Sequence, residues 1–589
     1  MKLLKTFSTI ILIILLLTAL LFVSIACDND PIIEEQEIQG GAILHAFCWS
    51  FNTIAENMAD IKAAGFTSVQ TSPISESITT HPYGGEGMNI GGPHGFWWYH
   101  YQPVSFQIGN FQLGTEEEFE NMCRVAAEHG VKIIVDAVIN HMAADFAMIS
   151  DDVKNIPGGA FHEPRGITGP GRYQVTQNQL LGLWDLNTQN PYIQQEVLKY
   201  LERCIELGAS GFRYDAAYHI ELPIDDPSFA SDFWPIVMEN GAEFQYGEVL
   251  GSEAAEVYAD FMKVTDAVYG VTIVNAVRSG MLNASALERY SVNIDPKDII
   301  TWVESHDTFC NAGETSDLTE KQILYGWAVL SGRNDSTPLY LSRPAGSSPG
   351  INNRWGNNIV GEAGNDAYKS KEVTALNHFK TAMQGTSEHF SNPTDSNSIL
   401  MIERGNSGAI LINTGTLTQL TDVTAFLLAD GDYEDLISGN VFSVNNGLLS
   451  GSINAESVVV FYKEDGPRTP AVPWVKDNIN DTPNTSNESL VFFVNEDGWE
   501  EVYCYVYSTS FEDGVIENAS WPGIPMTLLE GNLYVYELPD WDIFNVMFNN
   551  NAGTQFPPAN APGLRMTSGE RMILDGVILI PFEPPFRVP

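Results

Sequence analysis

Four stretches of the sequence end apolar runs on acids, an arginine or histidines: Asp136-Ala-Val-Ile-Asn140-His141, Gly211-Phe-Arg213-Tyr-Asp215, Tyr246-Gly-Glu248 and Val303-Glu-Ser-His306-Asp307. A carboxylate set among buried residues is costly unless it is paired. For one acid alone a structural ion pair would be explanation enough. Three acids, an arginine two residues before one of them and two histidines point instead to acid–base and nucleophilic chemistry. Arg213 and Asp215 are two apart, so on a strand they face the same side, where the guanidinium holds the carboxylate ionised and oriented. That is the setting of a nucleophile. Glu248, with a raised pKa, could protonate a leaving oxygen and then act as base toward water. On neighbouring strands the two carboxylates could stand ~5–5.5 Å apart, the separation of retaining glycosidases.

Such groups need a frame that brings distant strand ends together. From residue 40 to 384 the sequence repeats a short apolar strand, a polar loop and an amphipathic helix. Strand-like runs fall at Ala42–Trp49, Thr67–Thr71, Lys132–Val138, Gly211–Asp215, Phe244–Glu248, Ala267–Tyr269, Ile300–Glu304 and Pro338–Ser342. Between them, Ile54–Ala64, Glu116–His129 and Ile193–Leu207 have helical periodicity and stop near Gly65, Gly130 and Gly208. Eight strands of this kind predict an α/β fold, a (β/α)8 TIM barrel with its reacting groups at the carboxyl ends of the strands. The long interval after Val138 predicts an inserted subdomain over about 142–181. An antiparallel β domain over 385–463, a polar Pro-rich linker over 464–487 and a β-sandwich module over 488–589, dense in Tyr, Trp and Phe, complete the expected order.

The full chain has 29 Lys and Arg against 75 Asp and Glu, a formal net charge of −46. That field repels phosphate backbones and anionic lipid headgroups, so nucleic acid is excluded as a partner class. Lys2 and Lys5 followed by the apolar run Ile10–Val23 and Ser24-Ile-Ala-Cys27 predict an export signal over 1–27. Cys27 is the expected lipidation site, with an acidic tether over 28–39 and a cell-surface location; secretion without an anchor is the alternative. Cys48, Cys123, Cys204, Cys310 and Cys504 have neither metal spacing nor close pairs and read as small buried hydrophobes.

The four strand ends, in this order, resemble the conserved regions of glycoside hydrolase family 13, the α-amylase family. Ile43-Leu-His-Ala, Gln70-Thr-Ser-Pro73, Val175-Thr-Gln-Asn178, Leu180-Leu-Gly182 and Trp302-Val-Glu-Ser-His-Asp-Thr308 extend the likeness to secreted enzymes of the bacillus type, over about residues 40–462. The resemblance implies that Asp215 is the nucleophile, Glu248 the general acid/base and Asp307 the carboxylate that holds the sugar hydroxyls. Arg213, His141 and His306 would support the reacting ring, with Tyr101 as its aromatic platform and Gln102 beside it. It also implies a structural Ca2+ held by Asn140, Asp185 and the carbonyls of Thr176 and His219. Tyr218 stands where many members have Lys, which leaves the product pattern open. Ser305 and Pro338 replace the residues of chloride-activated members, so no chloride is expected. The C-terminal segment is similar to starch-binding carbohydrate-binding modules of family 26, with Tyr503, Tyr505 and Trp521 as the expected platform. The implied function is a monomeric, retaining α-amylase acting on starch, glycogen and maltooligosaccharides. A family 13 glucanotransferase and a non-catalytic surface glucan-binding protein are the alternatives.

Overall fold

The computed structural model describes residues 37–581 apart from 81–86, 93–94, 312, 395, 465, 467, 472, 475–488, 496–497, 511–513, 531, 540, 542, 558–562, 568–570 and 576–577. The expected signal over 1–27 with Cys27, most of the tether 28–39 and most of the linker 464–487 lie outside the described residues. No helix among the described residues is long and apolar enough to cross a membrane.

Eight parallel strands close into a barrel in chain order: β1 (Ile43–His45), β2 (Ser68–Gln70), β3 (Lys132–Ala137), β4 (Gly211–Tyr214), β5 (Phe244–Gly247), β6 (Lys263–Thr265), β7 (Ile299–Trp302) and β8 (Thr337–Leu341). Their interior packs Ile43, Ile134, Phe244, Tyr246, Ile300, Trp302 and Leu339 into one cluster, joined by Ile38. Ile38 is buried, so the folded region starts just before the expected residue 40. The other boundary also moves. Arg468 donates to the Ala382 carbonyl and Ala471 N–H to Gly385, so part of the expected linker packs against the end of the barrel.

One expected strand is corrected. Ala267–Tyr269 opens the helix Ala267–Ser279, because the Asp266 carboxylate accepts the Tyr269 N–H and caps the first turn; β6 is the preceding Lys263–Thr265. The expected helix Ile54–Ala64 is two, Phe51–Glu56 and Met58–Ala63, separated at Asn57. Thr115 and Glu118 form a reciprocal capping box at the start of Glu116–Glu128, which buries Phe119, Met122, Cys123 and Ala126. Each large apolar side chain so buried contributes roughly 1.5–3 kcal/mol.

Two excursions from the barrel top build the cleft. After β2, a three-stranded sheet (Ser75–Ser77, Pro103–Asn110 and Gly114–Thr115) carries Tyr101 and Gln102 just ahead of its long middle strand. After β3, the inserted segment leaves and returns through a two-stranded ribbon in which His141 pairs with Asp185 and Met142 with Trp184. Beyond the barrel, two four-stranded antiparallel sheets span 388–462 around a separate apolar core. Arg404, buried there, donates to carbonyls of Gly332, Arg333, Met383 and Thr386, which ties this domain to the barrel. The C-terminal module has two sheets, one centred on Leu490–Val494 and one on Tyr503–Ser510, with Val491, Cys504, Val506, Val546 and Phe548 in the core between them.

Candidate active site

Two of the three acids expected to act together are held, with Asp136, around one guanidinium. Arg213, on β4 and 4% exposed, donates through Nη1 to Asp215 (2.8 Å) and Asp136 (2.7 Å), and its Nη2 forms an ion pair with Glu248 (2.9 Å). Asp215 and Glu248 follow β4 and β5, whose register sets Arg213 opposite Tyr246. The turn after Asp215 passes through Ala216 in a left-handed conformation (φ +49°), and this aims the Ala216 N–H at the second Glu248 oxygen (3.0 Å). Asp307 follows β7. Its carboxylate lies 3.5 Å from His306 Nε2 and is the most exposed of the three, at 41% of its side chain.

Burial raises the pKa of Glu248, Arg213 opposes the rise, and the like charges of Asp215 and Asp307 add to it. Burial also raises Asp215, against the pull of Arg213, which donates to it directly. Asp136, fully buried, is pushed up to about 7 by burial against the same guanidinium. Four carboxyl groups and one permanent cation therefore share a site with more negative groups than positive ones. Retention of a proton on one acid relieves that excess, as a general acid requires.

An aromatic wall stands beside the acids. Tyr101 stacks on His306 with ring centroids 5.1 Å apart and an interplanar angle of 10°, and Phe47 lies on His306 at 5.8 Å. Trp97 meets Tyr101 edge-on at 5.8 Å. The Tyr101 hydroxyl donates to Asp136 (2.9 Å), and the Tyr101 carbonyl lies 3.1 Å from His141 Nε2. Burial lowers both His141 and His306 to about 4, so both imidazoles are neutral near pH 7. Gln102 does not extend this wall; its side-chain oxygen accepts the Ala144 N–H and fastens the loop to the inserted segment.

Asp136 is the residue that sequence reasoning left without a role. It bridges Arg213 and the Tyr101 hydroxyl, and its signal was an acid inside the apolar β3 run, four residues before Asn140.

The four residues expected to bind Ca2+ occupy two linked places. Asn140 immediately precedes the ribbon that holds Asp185, and the Asn140 carbonyl accepts the Leu186 N–H. His219 Nδ1 lies 3.0 Å from the Val175 carbonyl, one residue before Thr176. Two residues missing from the expected set connect these places. Glu221 accepts from Gln177 and Thr188, while His162 stands 2.7 Å from Asp185 and 3.8 Å from Glu221. Burial raises Asp185 well above the carboxylate range and Glu221 to about 7, with Asp185 adding to the latter. Among the described residues no three His, Cys, Asp or Glu side chains gather as a metal site. The donors to be weighed are a mixed set of one carboxylate, one amide and two carbonyls, all hard oxygens. A buried carboxylate beside an imidazole whose pKa burial lowers suits a hard cation.

In the module, Val502, Cys504, Val506 and Ser508 are buried while Tyr503, Tyr505 and Tyr507 between them are half-exposed, so the tyrosines face outward. Trp521, 50% exposed, packs against Tyr505 with centroids 5.4 Å apart. The expected platform residues thus lie on the outer face of one sheet. Tyr507 continues the row, but its hydroxyl accepts the Gly563 N–H.

The family model of the α-amylase catalytic domain matches residues 50–164, and that of starch-binding module 26 matches residues 491–561. Over residues 50–164 the chain is thus similar to α-amylase catalytic domains. An α-amylase of Butyrivibrio fibrisolvens is 38% identical over 522 residues, covering 80% of this chain and 53% of the relative. One from Clostridium acetobutylicum is 32% identical over 449 residues, covering 73% and 55%. The chain thus spans about half the length of these curated relatives. In fold, the chain is similar to α-amylase I from Eisenia fetida (TM-score 0.55, 20% identity, 72% of this chain and 97% of that one). A γ-cyclodextrin glucanotransferase from alkalophilic Bacillus clarkii matches at TM-score 0.55 and 14% identity, over 91% of this chain and 98% of that one.

Proposed function

We propose that the protein is a retaining α-amylase that cleaves internal α-1,4 linkages of starch, glycogen and maltooligosaccharides. The observation that carries this reading is the binding of Asp215 and Glu248 to the two terminal nitrogens of one guanidinium, beside the stacked Tyr101 and His306 rings. That arrangement suits the short carboxylate separation, ~5–5.5 Å, of a double displacement.

A glucose ring stacks on Tyr101. Asp215 attacks its anomeric carbon while Glu248 gives its proton to the departing glycosidic oxygen, so one C–O bond forms as another breaks. Glu248, now a carboxylate, takes a proton from water, and the resulting hydroxide displaces Asp215 with the original configuration restored. Asp307 and neutral His306 hold hydroxyls of the ring, and the negative site favours the oxocarbenium-like charge between the two displacements. Asn140, Asp185 and the carbonyls of Thr176 and His219 would hold Ca2+, which supplies cross-linking of the inserted segment to the barrel. The outward Tyr503, Tyr505 and Trp521 bind a second stretch of glucan, and Cys27 anchors the mature chain at the cell surface.

Incubation with amylose, with products resolved over time and the first anomer read by NMR, tests this. Linear maltooligosaccharides released as the α-anomer are expected. Cyclic or lengthened products in excess would make the enzyme a glucanotransferase, and no cleavage would leave a glucan-binding protein.

A further inference from the structure

Of the three acids around the proposed reaction centre, Asp215 and Glu248 are fixed by Arg213, but Asp307 makes no bond to it. Asp307 opens a five-residue π-type turn, Asp307–Asn311, on the segment that leaves β7. Its carboxylate is bonded by Asn311 of the same turn and by Glu248, so its position depends also on what holds that turn in place.

A second buried guanidinium lies there. Arg343 follows β8, is 4% exposed, and donates Nε and Nη2 to the two oxygens of Glu304, each at 2.7 Å. Glu304, 2% exposed, is at the entry to the segment. The same guanidinium donates to the carbonyls of Thr315 (3.0 Å) and Leu318 (2.9 Å) on the way out. It also lies over the ring of Phe309, 4.6 Å from the centroid, and Phe309 is the fully buried middle residue of the turn. One side chain thus grips the entry, the middle and the exit of the excursion that carries Asp307. Its base is rigid: the Ser342 N–H donates to the His45 carbonyl of β1, and the Arg343 carbonyl accepts the Asn365 N–H. Four directed bonds and a stacked face use the planar fork of arginine, which lysine cannot reproduce.

We propose that Arg343, through Glu304 and Phe309, is the positioning residue for Asp307. This rests on the proposed glycosidase reading. Arg343 touches no sugar; it sets where the Asp307 carboxylate stands when the ring distorts, and so acts on turnover more than on ground-state binding.

The test is a double-mutant cycle in the full-length protein, read as fluoride release from α-maltotriosyl fluoride and as starch cleavage. Removal of the arginine alone would strand the Glu304 carboxylate, so the first variant is Arg343→Met with Glu304→Leu, which removes both buried charges together. Arg343→Lys, which keeps the charge and loses the fork, is the second. Both are expected to lower kcat about tenfold or more with KM within about twofold, a loss equivalent to at least about 1.4 kcal/mol of transition-state stabilisation. In an Asp307→Asn background the same changes are expected to cost less than about twofold, because the group they position is already lost. Equal losses in both backgrounds, or a wild-type kcat in a folded Arg343→Lys variant, would overturn the proposal. If wild-type and Asp307→Asn proteins release fluoride alike, the glycosidase reading itself fails, a result distinct from a failure of Arg343.

Discussion

The barrel and the C-terminal module place their candidate functional side chains by opposite means. In the barrel, Asp136, Asp215, Glu248 and Asp307 come from four strand ends spread over 171 positions of sequence, and Arg213 meets three of them directly. In the module, Tyr503 and Tyr505 are set two residues apart on one strand, so the pleat gives them one face, and burial of Val502, Cys504 and Val506 on the other makes it the outer one. The first is a coupled network, in which each charge depends on the others for its pKa. The second is a set of rings on a surface. A network should fail abruptly when one member is removed, and a row of rings should weaken by degrees.

The largest effect is expected at the acid that the network tunes. Glu248→Gln keeps the size of the side chain but removes the proton, and starch cleavage should fall by ~10²–10⁴-fold. Adsorption to granular starch should stay within about twofold, measured by depletion of protein from solution. Equal losses of cleavage and adsorption would erase the distinction between the two regions.

Next in size is the buried bridge. Asp136→Asn keeps a hydrogen-bond acceptor for Arg213 and Tyr101 but no charge, and kcat/KM should drop about tenfold, of the order expected for one charge-assisted bond. Stability should report the same group. The folded pKa of Asp136 is raised to about 7 by burial, so between an ordinary carboxylate value and 7 the folded protein holds a proton that the unfolded chain releases. Its contribution to stability is full at the acid end and is lost as pH rises through that window. In calcium-saturated protein, thermal melts from pH 4.5 to 8 should show a shallower decline in Asp136→Asn than in wild type; an unchanged slope would remove Asp136 from the network.

Chelation addresses the connection between the inserted segment and the barrel. With EDTA the melting temperature should fall by several degrees and recover on addition of Ca2+ but not of Na+, as mass action requires for a cation bound only by the folded form. Deletion of residues 490–589 should leave that shift unaltered.

The smallest expected effect is in the module. Trp521→Ala should weaken binding of the full-length protein to granular starch about five- to tenfold, roughly 1–1.4 kcal/mol, with little change in cleavage of short soluble substrates. Tyr505→Ala should act similarly, and the pair should be coupled because the rings touch. An abrupt loss of all binding from either single change would make the module a network as well.

Most of the barrel was legible because strand and helix periodicities are local. The exception, Ala267–Tyr269, shows the limit of that rule: three apolar residues can close a strand or open a helix, and the Asp266 cap together with the pairing of Val264 to Ile299 decides between them. Arg213, Asp215 and Glu248 could be singled out because charge at the end of an apolar run is conspicuous. Asp136 stood in the same kind of run, yet its role needed the approach of Arg213 and Tyr101 from elsewhere. Glu221, His162 and the Arg343–Glu304 pair carried no pattern at all, since their meaning lies in which partner each finds across 23 or more positions, or in a fold-back that spacing does not encode.

By itself the sequence determined the alternation that builds most of the strands, the residue types able to do acid–base chemistry, and that Tyr503 and Tyr505 share one face, because each follows from repeats of two to four residues along the chain. Only the tertiary structure decided that three carboxyl groups pair with one guanidinium and that a second guanidinium grips the segment that carries Asp307. Barrel closure brings strand ends together through space, and pKa shifts arise from burial and from charges a few ångströms away, quantities that no stretch of sequence contains.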